Sequence, residues 1–170
     1  AMTRGLLNDD QRYLQTYWSR FENIWFHGDY VFVDIDGLWY MKGRTDDIIN
    51  VSGHRMSTIE IEHSVISHNK ISDAAAISIP DEITGEAIVV FYVTKNKSKT
   101  GLEVEISNYV AEKIGKIARP KIVYQISDLP KTRSGKIMRR LLKAKLLGMP
   151  LGDLSSIENR HVLNEILKLS

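Results

Sequence analysis

The sequence contains no cysteine, which excludes disulfide scaffolds and thiolate metal sites and fits a reducing, cytoplasmic setting. No apolar run approaches the length of a membrane span, and the N-terminus lacks the basic-then-apolar layout of a secretion signal. A soluble protein with no membrane partner is therefore expected. There is no Gly-x-Gly pair, so the dinucleotide fingerprint is missing. Gly135-Lys136 has the core of a phosphate loop, but position 130 is Pro and position 137 is Ile, which rules out a Walker motif. His54, His63 and His68 lack the two-histidine spacing of a zinc protease. Repeats and low-complexity tracts are missing too. With 43% apolar and 26% charged residues among 170, the chain has enough material for one or two small folded domains.

Charge is unevenly distributed. The net charge is only +2, yet Lys131 to Lys145 holds seven Lys or Arg and no acid, which leaves 16 cationic against 21 acidic residues elsewhere. Such a run could meet nucleic acid, an acidic lipid surface or a phosphorylated small molecule.

Residues 8–21 set Tyr13, Tyr17 and Phe21 at helical spacing beside Leu14 and Trp18, which predicts a short helix with an aromatic face. Ile24 to Phe26, Tyr30 to Val33 and Leu38 to Met41 read as strands, the last two joined at the turn signal Asp36-Gly37. Too little sequence surrounds these aromatic residues to bury them, so this front segment reads as the tail of a larger domain. Ser57-Thr58-Ile59-Glu60 is a capping box opening a helix to about His68. Ala74 to Ile79 and Ala87 to Thr94 predict an antiparallel pair across the turn-rich Pro80 to Gly85. A second capping box, Thr100 to Glu103, starts a helix with Leu102, Ile106, Tyr109, Val110 and Ile114 on one face, limited by Pro120. Lys121 to Ile126 reads as a strand, Ser127 to Gly135 as a loop, and Ile137 to Leu147 as a basic amphipathic helix ending at Gly148. The class is α+β: a short, mainly antiparallel sheet flanked by helices, preceded by a strand-rich remnant of a larger domain.

Two segments have a composition suited to chemistry. In Gly43 to Arg55, Arg44 and Arg55 bracket a turn-like Arg-Thr-Asp-Asp, a short apolar stretch and Ser52-Gly53. Guanidinium groups suit bidentate phosphate or carboxylate recognition, and Gly53 lets a ligand approach the backbone, although a plain hairpin with exposed charges fits the same residues. In Leu129 to Lys136, a restricting proline and a flexible glycine lead to a lysine that could neutralise charge developing at a phosphoryl or carboxylate oxygen. A solvated basic loop is the competing account.

Taken together and in order, Trp25-Phe26-His27-Gly28-Asp29, Gly43 to Arg55, and Pro130 to Arg140 resemble the adenylate-forming enzyme superfamily, the last being most similar to acetyl-CoA synthetases. The resemblance implies a ligase that joins a carboxylic acid to ATP as acyl-AMP, with release of pyrophosphate, and then passes the acyl group to CoA. It implies Asp29, Arg44 and Arg55 as nucleotide residues, Asp46 as the hinge between a large and a small domain, and Lys136 as the catalytic lysine of adenylation. Ser52 and Gly53 are implied near the CoA pantetheine. Where related enzymes hold the CoA 3′-phosphate with a basic residue this chain has Ala111, leaving Lys113 or Arg119 as substitutes. Mg²⁺ is implied with ATP, and a cation at Ile66, His68 and Ile71 would have only backbone oxygens. Lys136 is further implied as a target of reversible acetylation, with a protein acetyltransferase and a deacetylase as partners.

By the same resemblance, residues 1–45 end a large N-terminal adenylation domain, residues 46–147 form the mobile catalytic domain, and residues 148–170 are a tail with a helix. The phosphate loop, adenine pocket and acyl pocket would belong to that N-terminal domain, a further partner. Acetate or another short acid is the expected substrate. A basic nucleic-acid-binding domain and a non-catalytic interaction or regulatory module are the competing readings; the first fails to account for Gly43 to Arg55 and the second for an intact Lys136. The chain alone is expected to show no acid-dependent ATP–pyrophosphate exchange, and robust exchange by a pure preparation would overturn that expectation.

Overall fold

A computed structural model describes residues 2–96 and 101–169, without the side chain of Lys42. Its contacts divide the chain into two units, with the division between Asp46 and Asp47.

The first unit holds helix α1 (Asp10–Tyr17) and a hairpin of β1 (Asp29–Val33) and β2 (Trp39–Arg44). The helix is shorter than residues 8–21 because the chain doubles back: the Phe26 N–H donates to the Tyr17 carbonyl at 2.7 Å. That bond also explains why Ile24 to Phe26 does not form the expected strand. Tyr17 stacks on Trp25 at 5.3 Å between ring centroids, so the aromatic face finds its partner within the unit. The hairpin turn has three residues rather than two. Asp34 Oδ1 accepts the Asp36 and Leu38 N–H groups, and Gly37 takes φ 79°, the left-handed position that such a loop reserves for glycine.

The second unit is built on a five-stranded sheet. Strands β3 (Ile48–Val51) and β4 (His54–Ser57) form a hairpin, and β5 (Ile71–Asp81) pairs antiparallel with β6 (Gly85–Thr94). The order is β4-β3-β6-β5, and β7 (Ile122–Gln125) lies parallel to β6. The runs Ala74 to Ile77 and Ile88 to Tyr92 are apolar at every position because both faces of the sheet are covered. Ala74, Ala76, Ile88, Val90 and Tyr92 pack with Ile61 and Val65 of α2 (Thr58–Ile66) and Ile106 and Val110 of α3 (Glu103–Lys113). Ala75, Ile77, Val89 and Phe91 pack with Leu142 of α4 (Arg139–Leu146) and Val162 and Ile166 of α5 (His161–Ile166). Residues 148–169 thus contribute to the same core. This is the expected α+β class.

Local signals held at some element ends and failed at others. Ser57 caps α2, its side chain accepting the Ile59 N–H at 3.2 Å. The second capping box rests on Thr100, which lies outside the described residues; α3 begins at Glu103 with Leu102 at the cap position. Helix α4 starts at Arg139 instead of Ile137, because Ile137 bridges to Lys131 and the Met138 N–H donates to the Pro130 carbonyl at 2.7 Å. It ends as Gly148 predicts: the Met149 N–H reaches the Ala144 carbonyl and the Gly148 N–H the Lys145 carbonyl, a Schellman pair at φ 64°.

The β5–β6 turn is held by Asp81, whose carboxylate takes the Lys121 ammonium, the Thr84 N–H and hydroxyl, and the Ile83 N–H. Lys121 first, then Thr84, keeps this carboxyl well below the usual carboxylate range. The folded pKa lies below the unfolded value, so the stabilisation is complete above about pH 4 and is lost as pH falls toward the folded pKa. Asp81→Asn is expected to lower the urea midpoint at neutral pH, with the gap to the parent narrowing below about pH 4; midpoints measured across that range check it.

Candidate active-site loop and nucleotide-type residues

In the first unit, three of the residues named from sequence come together. Asp29 opens β1 and is the register partner of Arg44 at the end of β2. The Arg44 guanidinium lies 3.8 Å from Asp29 Oδ1, donates from Nε to Asp46 Oδ1 at 3.0 Å and reaches the His27 carbonyl at 3.4 Å. His27 also contacts Asp29 through Nδ1. Gly28 makes the arrangement possible: its φ is +89°, and a Cβ there would stand 2.9 Å from Arg44 Nη2. The result is a half-exposed carboxylate and guanidinium suited to hydroxyl and oxyanion partners.

The β3–β4 turn in the second unit is Ser52-Gly53, flanked by the pair Val51 and His54. Both turn residues have positive φ, 49° and 83°, as a type I′ turn requires. Such a conformation is costly for serine, and one like it often marks a functional backbone. The Ser52 N–H donates to the Thr84 carbonyl at 2.8 Å, fixing the turn against the β5–β6 connection. Arg55, paired with Asn50 in the ladder, is exposed.

Beside this turn lies a cleft of about 400 Å³ with Val51, Ile83 and Ile117 as apolar lining and Lys116, Arg119 and Lys121 as cations. Arg119 also donates to Asn108 at 2.6 Å. Lys113 is not in the cleft; its ammonium sits over the Tyr109 ring at 5.5 Å. Ala111, at the position where a basic residue was looked for, is buried.

The basic run is much less free than its composition suggests. Lys131 pairs with Asp73 at 2.7 Å, Arg139 with Glu62, Arg140 with the carbonyls of Leu151 and Asp153, and Lys143 with Ser78 at 3.2 Å. Asp73 above all pushes the Lys131 pKa up. Lys136 differs: it is exposed, and its ammonium has no hydrogen-bond or ion-pair partner among the described residues. The loop beneath it is closed on itself. The Thr132 N–H donates to the Lys136 carbonyl at 2.9 Å, the Gly135 N–H to the Thr132 carbonyl at 2.8 Å, and the Lys136 N–H to Thr132 Oγ1 at 3.1 Å. A free ammonium on an ordered turn is suited to electrostatic work on an anion brought to it.

The AMP-binding enzyme C-terminal domain family matches residues 60–136. This chain carries an AMP-binding enzyme C-terminal domain. Over 98% of its length it is 41% identical to a curated acetyl-coenzyme A synthetase of Methanothrix thermoacetophila, and over 97% it is 43% identical to that of Pyrobaculum aerophilum. It spans only about a quarter of those relatives, 26% and 25% of their lengths. The solved ATP-bound MatB of Rhodopseudomonas palustris shares the fold, with a TM-score of 0.66 at 24% identity over 74% of this chain and 25% of that one.

In this AMP-binding domain, Ile66, His68 and Ile71 offer a cation no side-chain ligand set. The His68 carbonyl already accepts the Ile71 N–H at 3.0 Å, and the imidazole meets Glu105 at 3.1 Å through Nε2. Glu105 is itself held by Lys70 at 2.7 Å, and no cluster of three His, Asp or Glu suited to a metal exists among the described residues. A cation at this place would therefore depend on the backbone carbonyls alone. No helix among the described residues is long and apolar enough to cross a membrane.

Sequence reasoning missed Glu62, Asp73 and Asn159, which brace the loop, because each is a single polar residue whose partner is tens of positions away. The exposed ammonium yields a direct test. Under limiting amine-acylating reagent near neutral pH, Lys136 is expected to be modified before Lys131, Lys143 or Lys70, as peptide mass spectrometry would show; earlier loss of Lys131 would contradict the contacts described.

Proposed function

We propose that the chain is the C-terminal catalytic module of an AMP-forming acetyl-CoA synthetase, converting acetate, ATP and CoA into acetyl-CoA, AMP and pyrophosphate together with a large N-terminal adenylation domain. The observation that carries this reading is the unpartnered ammonium of Lys136 on a braced loop, in a chain 41% identical over nearly all its length to a curated acetyl-coenzyme A synthetase.

In the first half-reaction, an acetate oxygen attacks the α-phosphorus of ATP and pyrophosphate leaves. Lys136 stands between the carboxylate and the α-phosphate, where it offsets the negative charge that gathers in the transition state. Asp29 accepts from the ribose hydroxyls, Arg44 meets the ribose and Arg55 the phosphate. Asp46, at the junction of the two units, is the hinge whose torsions exchange one face of the mobile domain for the other. In the second half-reaction, the thiol of CoA attacks the acyl carbon and AMP leaves. Ser52 and Gly53 line the pantetheine path with their strained backbone. Arg119 is preferred over Lys113 for the CoA phosphates, since it faces the cleft beside that turn. Mg²⁺ would be held by the ATP phosphates and would offset their charge, and a cation near Ile66, His68 and Ile71 would rest on their backbone carbonyls. An accessible Lys136 is also the side chain that an acetyltransferase would neutralise and a deacetylase restore.

The test joins or mixes this chain with the large N-terminal part of the Methanothrix thermoacetophila enzyme. Acetate-dependent ATP–pyrophosphate exchange is expected from the pair and not from the chain alone. Lys136→Ala is expected to lower exchange by about 10²- to 10³-fold while sparing thioester formation from supplied acetyl-adenylate. Equal loss of both half-reactions would remove the assignment of Lys136 to adenylation.

A further inference from the structure

The Lys136 loop is closed by its own hydrogen bonds, so it can tilt as a unit unless its base is fixed. One end of that base is secured where Arg139 enters α4 and pairs with Glu62. The other end, residues 128–132, is secured by the tail. Ile157 bridges to Thr132, and the Glu158 N–H donates to the Lys131 carbonyl at 3.0 Å. The Asn159 side chain then uses its whole amide. Its Oδ1 accepts the Lys131 N–H at 3.0 Å, and its Nδ2 donates to Asp128 Oδ2 at 2.8 Å and to the Leu129 carbonyl at 2.6 Å. Three bonds from one side chain fix three consecutive-region groups at the point where the loop leaves the sheet. Arg140 and Glu165 hold the tail itself in place, through the Leu151 and Asp153 carbonyls and the Ser127 N–H.

We propose that Asn159 is a positioning residue for Lys136, setting the angle at which the loop presents its ammonium. The inference rests on the adenylation role given to Lys136 above. Displacing a reacting group by about an ångström costs on the order of 100-fold in rate, so a contact remote from the chemistry can control it. Asn159→Asp is the informative variant because it keeps the shape and the acceptor for the Lys131 N–H. It replaces the two donated bonds with a carboxylate facing the Asp128 carboxylate and the Leu129 carbonyl.

Two measurements separate the outcomes. In the 170-residue chain, Asn159→Asp is expected to raise amide hydrogen exchange across residues 130–138 by about tenfold, with β5 and β6 unchanged. Adding Asp128→Asn, which restores a donor, is expected to bring part of the protection back. Unchanged loop exchange, or an equal rise throughout the unit, overturns the proposal whatever the enzyme assay gives. In the chain joined to the Methanothrix N-terminal part, the same variant is expected to lower kcat for ATP–pyrophosphate exchange by about tenfold or more. KM for ATP and acetate, and thioester formation from acetyl-adenylate, are expected to stay as in the parent. Parallel loss of both half-reactions would make Asn159 merely structural and overturn the proposal. Failure of the Lys136 assignment is read separately, from Lys136→Ala leaving exchange intact.

Discussion

The carboxylate of Glu62 is the junction on which the second unit depends. It sits on α2, accepts the Ala76 N–H of the outer strand β5 at 2.8 Å, and holds Arg139 of α4 in a two-bond pair at 2.8 and 2.7 Å. The two helices lie on opposite faces of the sheet, so one side chain ties both covering layers to the strand between them. Burying a carboxylate is costly, and here the cost is offset because a guanidinium and a backbone N–H take up its lone pairs. Arg139 follows Lys136 by three residues, so the pair that secures the layers also sets one end of the loop.

A lysine that acts on a ligand supplied by another domain needs two properties that oppose each other: its ammonium must be unpaired, and its backbone must not wander. The chain separates them along a short stretch of sequence. Lys131, Arg139, Arg140 and Lys143 face inward and tie the loop, α4 and the tail together, leaving Lys136 with no partner. The first unit shows the opposite condition, since its hairpin leaves Ile35, Leu38 and Trp39 largely exposed. Apolar surface of this kind is suited to burial against another surface.

Much of the architecture was legible in local patterns. Continuous apolar runs marked β5 and β6, Ser57 marked the start of α2, and Gly148 marked the end of α4, because each signal acts within a few residues. The errors came where a distant group took a backbone partner. The Phe26 N–H took the Tyr17 carbonyl and α1 ended there, and Ile137 and Met138 were drawn from α4 into pairing with Lys131 and Pro130. Asp29, Arg44 and Asp46 were named from motifs, and Gly28 proved to be the residue that lets Arg44 lie close to Asp29. Asn159 had no signal at all, being one polar residue in an unremarkable tail.

The sequence by itself determined the composition class, the α+β pattern and the family, since periodicity, caps and ordered motifs are properties of neighbouring residues. Tertiary structure decided which charges are available. Seven cations in fifteen positions are equivalent on paper, and only the pairing of four of them with groups up to 77 residues away shows that those four brace the fold while Lys136 is left exposed and unpaired on the loop they fix.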